Sequence, residues 1–414
     1  MRTKAVRMYG KKDLRLEEFE LPPIREDEIL AHIVSDSICM SSYKASLQGN
    51  EHKRVPKNIA DHPVIIGHEF CGEIMEVGRK WRSRFSPGMR FSIQPALNYK
   101  GSLAAPGYSY QYIGGDATHV VIPSEVMEMN CLLEYTADAF FMGSLSEPMS
   151  CIVGAFHASY HVPDRGRYAH DMGIKPGGKM AILAGVGPMG LGAIDYAIHA
   201  ERRPSRLVVT DVDGARLARA AAIHTVEEAR RNGVELRYVN TAGADLSVIG
   251  QGFDDVFVFA PVKAVVEQAD QILGEDGCLN FFAGPSDPHF HADFNFYNVH
   301  YAGTHIVGTS GGNTADMVES LAMMSSGKLN PAAMITHVGG LGAVPHTTLN
   351  LPSIPGGKKL MYTNIDLPLT AIAEFAEKGR SDPLFAELSR ITARNNGLWC
   401  GEAEKYLLSH AAPA

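Results

Sequence analysis

The stretch Met180-Ala-Ile-Leu-Ala-Gly185-Val-Gly187-Pro-Met-Gly190-Leu-Gly192 decides how this chain is read. A β-prone apolar run leads into closely spaced glycines and then a helix start, the context in which a dinucleotide pyrophosphate is bound. Gly185 makes the turn, Gly187 lets the backbone approach the pyrophosphate, and Gly190 allows close packing of helix on strand. The helix N-terminus that follows favours negative charge. Val186 and Met189, between the glycines, are candidate cofactor contacts with them. The next strand, Leu207-Val-Val-Thr210, ends at Asp211, about 20 positions past the last glycine, where an acid bonds the adenosine ribose hydroxyls. An acid there favours NAD over NADP, because a 2′-phosphate would meet a like charge. Arg216 is compatible with lining the adenine side, with serving a 2′-phosphate, or with merely solvating a helix start.

Outward from this stretch, strand and helix alternate. Met180 to Ala184, a helix from Pro188, Arg206 to Thr210, a helix from Gly214, and strands near Leu236, Asp255, Cys278 and Thr304 imply an α/β unit with a doubly wound parallel sheet. Upstream, short strands punctuated by turns (Lys4 to Met8, Glu28 to Val34, Val64 to Val77, Met89 to Ile93, His119 to Ile122) read as a β-rich domain. Downstream come a helix at Thr314 to Ser326, an irregular Gly/Pro-rich stretch from Gly339 to Lys358, and helices at Pro368 to Lys378 and Gly401 to Leu408. The expected division is 1–158 for a catalytic domain, 159–310 for the dinucleotide-binding domain, and 311–414 for a return to the first.

Among 414 residues, 38 Lys+Arg against 46 Asp+Glu give a net charge of −8, which argues against a broad nucleic-acid surface and for small-molecule partners. Six cysteines, at 39, 71, 131, 151, 278 and 400, form no Cys-x-x-Cys pair and suit a reducing compartment. Met1 to Gly10 lacks the apolar segment of a signal peptide, and the longest apolar stretch, Met180 to Ala200, is interrupted by glycines, Pro188 and Asp195. A cytoplasmic protein without a membrane span is expected.

The chemistry sits upstream of the glycines. Cys39 follows an alternating strand, His68 of Gly67-His68-Glu69-Phe70 follows the apolar run Val64 to Ile66, and Glu147 of Ser146-Glu147-Pro148 precedes an apolar helix. All three stand at element ends where side chains can converge. Thiolate, imidazole and carboxylate together suit a four-coordinate zinc with one position open for substrate. Other features carry blander readings. His289, His291, His300 and His305 lie after a strand without a cysteine or helical i, i+4 spacing, and Cys71 alternates onto the core face. The basic run His52-Lys53-Arg54 with Lys57 is a solvated loop or a phosphate contact, and Lys358-Lys359 a turn leading into Leu360 to Asn364.

These residues resemble the zinc-dependent medium-chain dehydrogenase/reductases over nearly the whole chain. The matching stretches are Ser37-Ile-Cys39-Met-Ser41-Ser-Tyr-Lys44, Gly67-His68-Glu69-Phe70-Cys-Gly72-Glu-Ile, Ser144-Leu-Ser-Glu147-Pro148-Met-Ser, the glycine fingerprint, Phe253-Asp-Asp255-Val, and Ser326-Gly327-Lys328-Leu-Asn-Pro331-Ala-Ala-Met-Ile335-Thr336-His337. The resemblance implies a GroES-like β-rich catalytic domain and a Rossmann domain. The last stretch and the Glu-Pro motif are similar to the sorbitol dehydrogenase branch, which handles polyols and sugars. More narrowly, Cys39-Met-Ser-Ser-Tyr-Lys44 with Leu349-Asn-Leu-Pro-Ser-Ile-Pro-Gly-Gly-Lys358 and Ser381-Asp-Pro-Leu-Phe resembles the L-sorbose-1-phosphate reductase group. That implies interconversion of a keto-sugar, phosphorylated or not, with its alditol.

Carried over residue by residue, the resemblance implies zinc ligands at Cys39, His68 and a carboxylate from Glu69 or Glu147, the other acid acting directly or through water. Ser41 matches the hydroxyl that passes the substrate proton outward. Lys44 departs from the histidine many relatives use to finish that relay; a lysine bonds a ribose hydroxyl or a substrate phosphate, and relays protons near neutrality only with a lowered pKa. Ser41, Lys44 and Glu69 are thus the catalytic candidates. Many relatives carry four closely spaced cysteines for a structural zinc, and Phe91 to Asn130 contains none, so one catalytic zinc is expected. Asn98 to Asp116 occupies that lobe as a loop at the cleft or a subunit contact. The segment Thr304 to Gly311 resembles an edge strand through which such enzymes pair as homodimers or homotetramers. Competing readings are a dehydrogenase of a simple or amino-alcohol, and a non-catalytic cofactor-binding protein on the same fold.

Overall fold

Ile29, Ala31 and Ile33 alternate inward along the strand Ile29–Ile38 and are fully buried, so this strand becomes the middle of a sheet. Phe70–Val77 pairs with it antiparallel, from Ile29↔Val77 to Asp36↔Phe70. His119–Ile122 and Lys358–Tyr362 also pair with it, the latter from Lys359↔Ile38 to Tyr362↔Ser35. In the computed structural model, which describes residues 1–164 and 166–414, the chain folds as two units. One comprises Met1–Glu147, Leu321–Gly327 and Ile335–Ala414; the other, Pro148–Ser320 and Lys328–Met334.

In the first unit, the run expected as one strand from Val64 to Val77 is two. Val64–Ile65 pairs with Arg2–Gly10, and Phe70–Val77 with the central strand. The break falls at Gly67, whose φ of +89° excludes most side chains and whose added Cβ would lie 2.7 Å from the Asp116 nitrogen. This turn delivers His68 and Glu69 to the start of the interior strand Phe70–Val77. The Gly339 to Lys358 stretch is also more regular than its composition suggests: it carries the end of strand Ile335–Gly340, the helix Val344–Leu349 and the start of Lys358–Tyr362. Lys358 therefore opens a buried strand instead of a turn, because the residues after it, Leu360, Met361 and Tyr362, are fully buried. Near the C-terminus, the helix expected at Pro368 to Lys378 shrinks to Phe375–Lys378 behind the short strand Thr370–Ala371. An unforeseen helix, Pro383–Arg394, follows; Asp382 caps it by accepting from Leu384 N, with proline in the first turn.

The second unit carries a parallel sheet in the order Glu235–Asn240, Arg206–Asp211, Lys179–Leu183, Phe253–Val258, Leu273–Phe281, His305–Val307. The direction of winding reverses at Lys179–Leu183, the doubly wound arrangement of dinucleotide-binding sheets. Ala181, Leu183, Val208, Val256, Val258 and Leu279 form its core. Among the described residues, no helix is long and apolar enough to cross a membrane, and the six cysteines are free.

Candidate metal centre

Cys39 follows the central strand and stands directly before the helix Met40–Gln48; His68 and Glu69 follow the Gly67 turn. One ligand atom from each of Cys39, His68 and Glu69 lies within 4.8 Å of the others. Among the described residues this is the group of three or more such side chains that converges; His289, His291, His300 and His305 are not brought together in this way. His305 instead contacts the Tyr160 carbonyl at 2.6 Å through Nε2.

Hydroxyls surround the cluster. Ser41 Oγ donates to Cys39 Sγ at 3.0 Å and lies 3.2 Å from His68 Nε2. Tyr108 Oη donates to Ser41 Oγ at 2.9 Å and also lies 3.2 Å from His68 Nε2. On the other side of the ring, His68 Nδ1 is 3.2 Å from Ser42 Oγ; with the proton on Nδ1, the Nε2 lone pair is directed at the cluster. Burial holds His68 below its ordinary pKa against the pull of Glu147 and Glu69, so its imidazole is in the neutral, ligating form.

Glu69 is held on three sides. Its N–H donates to Asp36 Oδ1 at 3.1 Å, its carbonyl accepts from Ser37 N at 3.0 Å, and Lys358 Nζ donates to both carboxylate oxygens at 2.5 and 2.6 Å. Glu69 is 1% exposed and Lys358 7%. Burial opposes ionisation of Glu69, and the Lys358 ammonium overrides it, holding the carboxyl below its usual range. Burial likewise opposes the charge on Lys358, and Glu69 and Cys39 override that, raising the ammonium. Lys358 engages each oxygen once, which leaves further lone pairs free for a metal.

These residues fit a zinc ion. The donors are a thiol, an imidazole and a carboxylate, the set zinc prefers. Without a dication they are electrostatically frustrated: burial and Glu69 raise the Cys39 thiol, and burial pushes the Glu147 carboxyl up to about 7. A divalent cation reverses that balance and stabilises the anionic forms. Glu147, at the start of the helix Ser146–Ala158, lies outside the 4.8 Å group but within electrostatic range of His68, Glu69 and Cys39.

The glycine turn leaves the space that a dinucleotide pyrophosphate requires. An added Cβ at Gly187 meets no atom within 4 Å, whereas at Gly190 it would lie 2.2 Å from the Gly185 carbonyl oxygen. Gly187 borders open space at the N-terminus of the helix Pro188–His199, and Gly190 lets helix and turn pack together. Val186 is buried, and Met189 lies in the first turn of that helix. Asp211 ends its strand with Oδ1 accepting from Asp213 N at 3.0 Å. Arg216 pairs with Asp213 at 3.4 Å on an exposed helix start. Lys44 lies half-buried on the helix that starts at Met40.

Two residues of the cluster were not visible in the sequence. Lys358 read as part of a turn, and Tyr108 lay in the Asn98 to Asp116 stretch read as a loop. The glycine pair before Lys358 masked a strand start, and only tertiary structure brings Tyr108 to His68. Cys71 is buried, and its thiol donates to the Phe140 carbonyl at 2.8 Å.

Residues 25–130 match the family described as the alcohol dehydrogenase GroES-like domain. The chain is 54% identical to the mannitol-1-phosphate 5-dehydrogenase of Aliivibrio fischeri over 413 residues, 98% of this chain and 97% of that protein. It is 51% identical to the L-sorbose 1-phosphate reductase of Klebsiella pneumoniae over 414 residues, 99% of this chain and 98% of that protein. Among solved structures, 2R,3R-butanediol dehydrogenase from Bacillus subtilis superposes with a TM-score of 0.69 at 20% identity, covering 87% of this chain and 100% of that one, a likeness of fold. Identity of this depth along the whole length means that the chain belongs to the zinc-dependent medium-chain dehydrogenase/reductases, oxidoreductases that work with zinc and a nicotinamide cofactor.

Proposed function

We propose that this protein transfers a hydride between NAD(H) and a polyol or its keto-sugar, with a phosphorylated sugar as the favoured substrate. The observation that carries the reading is the buried convergence of Cys39, His68 and Glu69 in a chain half identical to a hexitol-phosphate dehydrogenase and a ketose-phosphate reductase. When bound, zinc supplies Lewis-acid polarisation of the substrate oxygen, and the nicotinamide supplies or accepts the hydride.

Cys39, His68 and Glu69 hold one metal per chain, with Glu147 as the second acid of the site. Ser41 Oγ orients the substrate hydroxyl and relays its proton, releasing its own hydroxyl proton outward as it takes up the substrate's. Tyr108 fixes the Ser41 rotamer through its 2.9 Å hydrogen bond; burial raises its hydroxyl well above the ordinary value, so it stays protonated and acts as a donor. Lys44 contacts a ribose hydroxyl or the substrate. On the cofactor side, Gly185, Val186, Gly187, Met189 and Gly190 form the pyrophosphate turn, and the Asp211 carboxylate supports NAD over NADP by repelling a 2′-phosphate. We also assign the protein to the cytoplasm and to a homodimer or homotetramer.

The test is initial rates with NAD+ and NADP+ across alditols, alditol phosphates and simple alcohols, with metal analysis. Expected is reduction of NAD+ by a hexitol or hexitol phosphate, abolished by a chelator in step with loss of one zinc per chain. Turnover confined to simple alcohols would shift the reading to an alcohol dehydrogenase; a metalated protein with no turnover in either direction would end it.

A further inference from the structure

We propose that Arg54 is the side chain that recognises the phosphate of the substrate, an assignment that rests on the polyol reading above. The basic run His52-Lys53-Arg54 with Lys57 separates, in the structure, into cations with different duties. Lys57 Nζ donates to the Asn50 carbonyl at 2.6 Å, and Asn50 Nδ2 donates back to the Lys57 carbonyl at 3.3 Å. Lys57 thus closes its own loop. Lys53 is exposed. Arg54 is different: it is half-buried, and its guanidinium lies over the Tyr108 ring at 5.7 Å from the centroid.

Tyr108 is the residue whose hydroxyl touches both Ser41 and His68. The guanidinium therefore sits one aromatic ring away from the metal cluster. The backbone beneath it is pinned, since Ser109 Oγ donates to the Arg54 carbonyl at 2.6 Å and Arg54 N donates to His52 Nδ1 at 3.3 Å. Because His52 Nδ1 accepts that bond, the neutral imidazole carries its proton on Nε2. The His52 ring stacks on Tyr108 at 5.8 Å and 16°, so an N–H donor and a guanidinium share one aromatic platform.

Among the described residues, Arg54 makes no salt bridge to a carboxylate, whereas Arg7 and Arg25 in the same unit are so paired. A partly desolvated guanidinium on a rigid backbone, without an acid to neutralise it, is arranged to take an oxyanion from outside the chain. Its planar fork matches a phosphate in two-point contact. A sugar phosphate held there would keep its hydroxyl-bearing carbons on the Tyr108, Ser41 and His68 side. Arg54 would thereby select phosphorylated over free polyols.

The measurement is kcat/KM for mannitol 1-phosphate and for mannitol, with NAD+, in zinc-loaded wild type, Arg54→Gln, Arg54→Lys and Lys53→Gln. Arg54→Gln is expected to lower the phosphate-to-free preference about 10- to 100-fold through KM, the range of one charge-assisted contact. Arg54→Lys restores part of it, and Lys53→Gln keeps the wild-type ratio. On wild-type enzyme, inorganic phosphate is expected to shield Arg54 from phenylglyoxal, read by mass spectrometry, which decides the matter should Arg54→Gln not fold. The assignment is overturned if Arg54→Gln weakens both substrates equally, if it raises the NAD+ KM instead, or if phosphate leaves Arg54 unshielded. Wild type that oxidises mannitol and ignores the phosphate ends this assignment and leaves the polyol reading standing; wild type that turns over no alditol or alditol phosphate of the wider panel ends both.

Discussion

Lys358 shows what a single side chain does for the metal centre. Its ammonium neutralises a carboxylate that burial would otherwise leave unpaired, and removing one member of a buried pair costs about 3–5 kcal/mol. Lys358→Met is expected to lose that much in urea unfolding of the metal-free protein, and less once zinc is bound, because the dication then neutralises Glu69. A loss below about 1 kcal/mol in the metal-free form, the range of exposed pairs, would show that the pair is not a stabilising element. The candidate ligands were legible in the sequence for a physical reason: Cys39, His68 and Glu147 stand at element ends, in short motifs whose residue types already suit a metal, while Glu69 entered beside Glu147 through the family resemblance. Lys358 and Tyr108 were not legible, since neither has a local signal. A lysine after two glycines looks like any turn, and a tyrosine in a Gly/Ala-rich loop looks like filler until the fold carries it to an imidazole.

For elements, the glycine turn makes the sharpest statement. Gly187 and Gly190 are three positions apart and answer to different partners, one to open space and one to the Gly185 carbonyl. Gly187→Ala should therefore fold with a change within about 1 kcal/mol, the cost of an altered helix cap, yet weaken NAD+ about tenfold or more in titration calorimetry. Gly190→Ala should instead destabilise by about 1–3 kcal/mol through overpacking. If both variants lost only stability, Gly187 would not face the cofactor. The parallel sheet was readable because strand and helix alternate with strong periodicity and each glycine lies in its expected context. The β-rich unit was harder. Its strand Asp13–Glu20 is half-exposed and polar, and Gly67 broke an apolar run that looked continuous. The Asp382-Pro383 start of a C-terminal helix was a readable cap that the surrounding turn residues obscured.

At the level of the whole molecule, the sheet of the second unit ends at the edge strand His305–Val307. Ile306 on that strand and Phe296, Tyr297 and Tyr301 on the preceding helix are exposed. A bare edge flanked by aromatics suits pairing with a second copy, and light scattering should give a mass at least twice the 44.9 kDa of one chain; a monomer mass would refute the oligomer.

The bond between Glu69 and Lys358 spans 289 residues of chain, and the strand that carries Lys358 completes one side of Ile29–Ile38. During synthesis, then, the early segment leaves the ribosome with an uncompensated acid and an open strand edge. Both wait for the intervening chain to be made, an interval of roughly 15–60 s at ordinary elongation rates. The metal pocket is consequently finished late in biosynthesis, and a nascent chain stalled before residue 358 exposes the kind of unpaired edge that chaperones and proteases recognise.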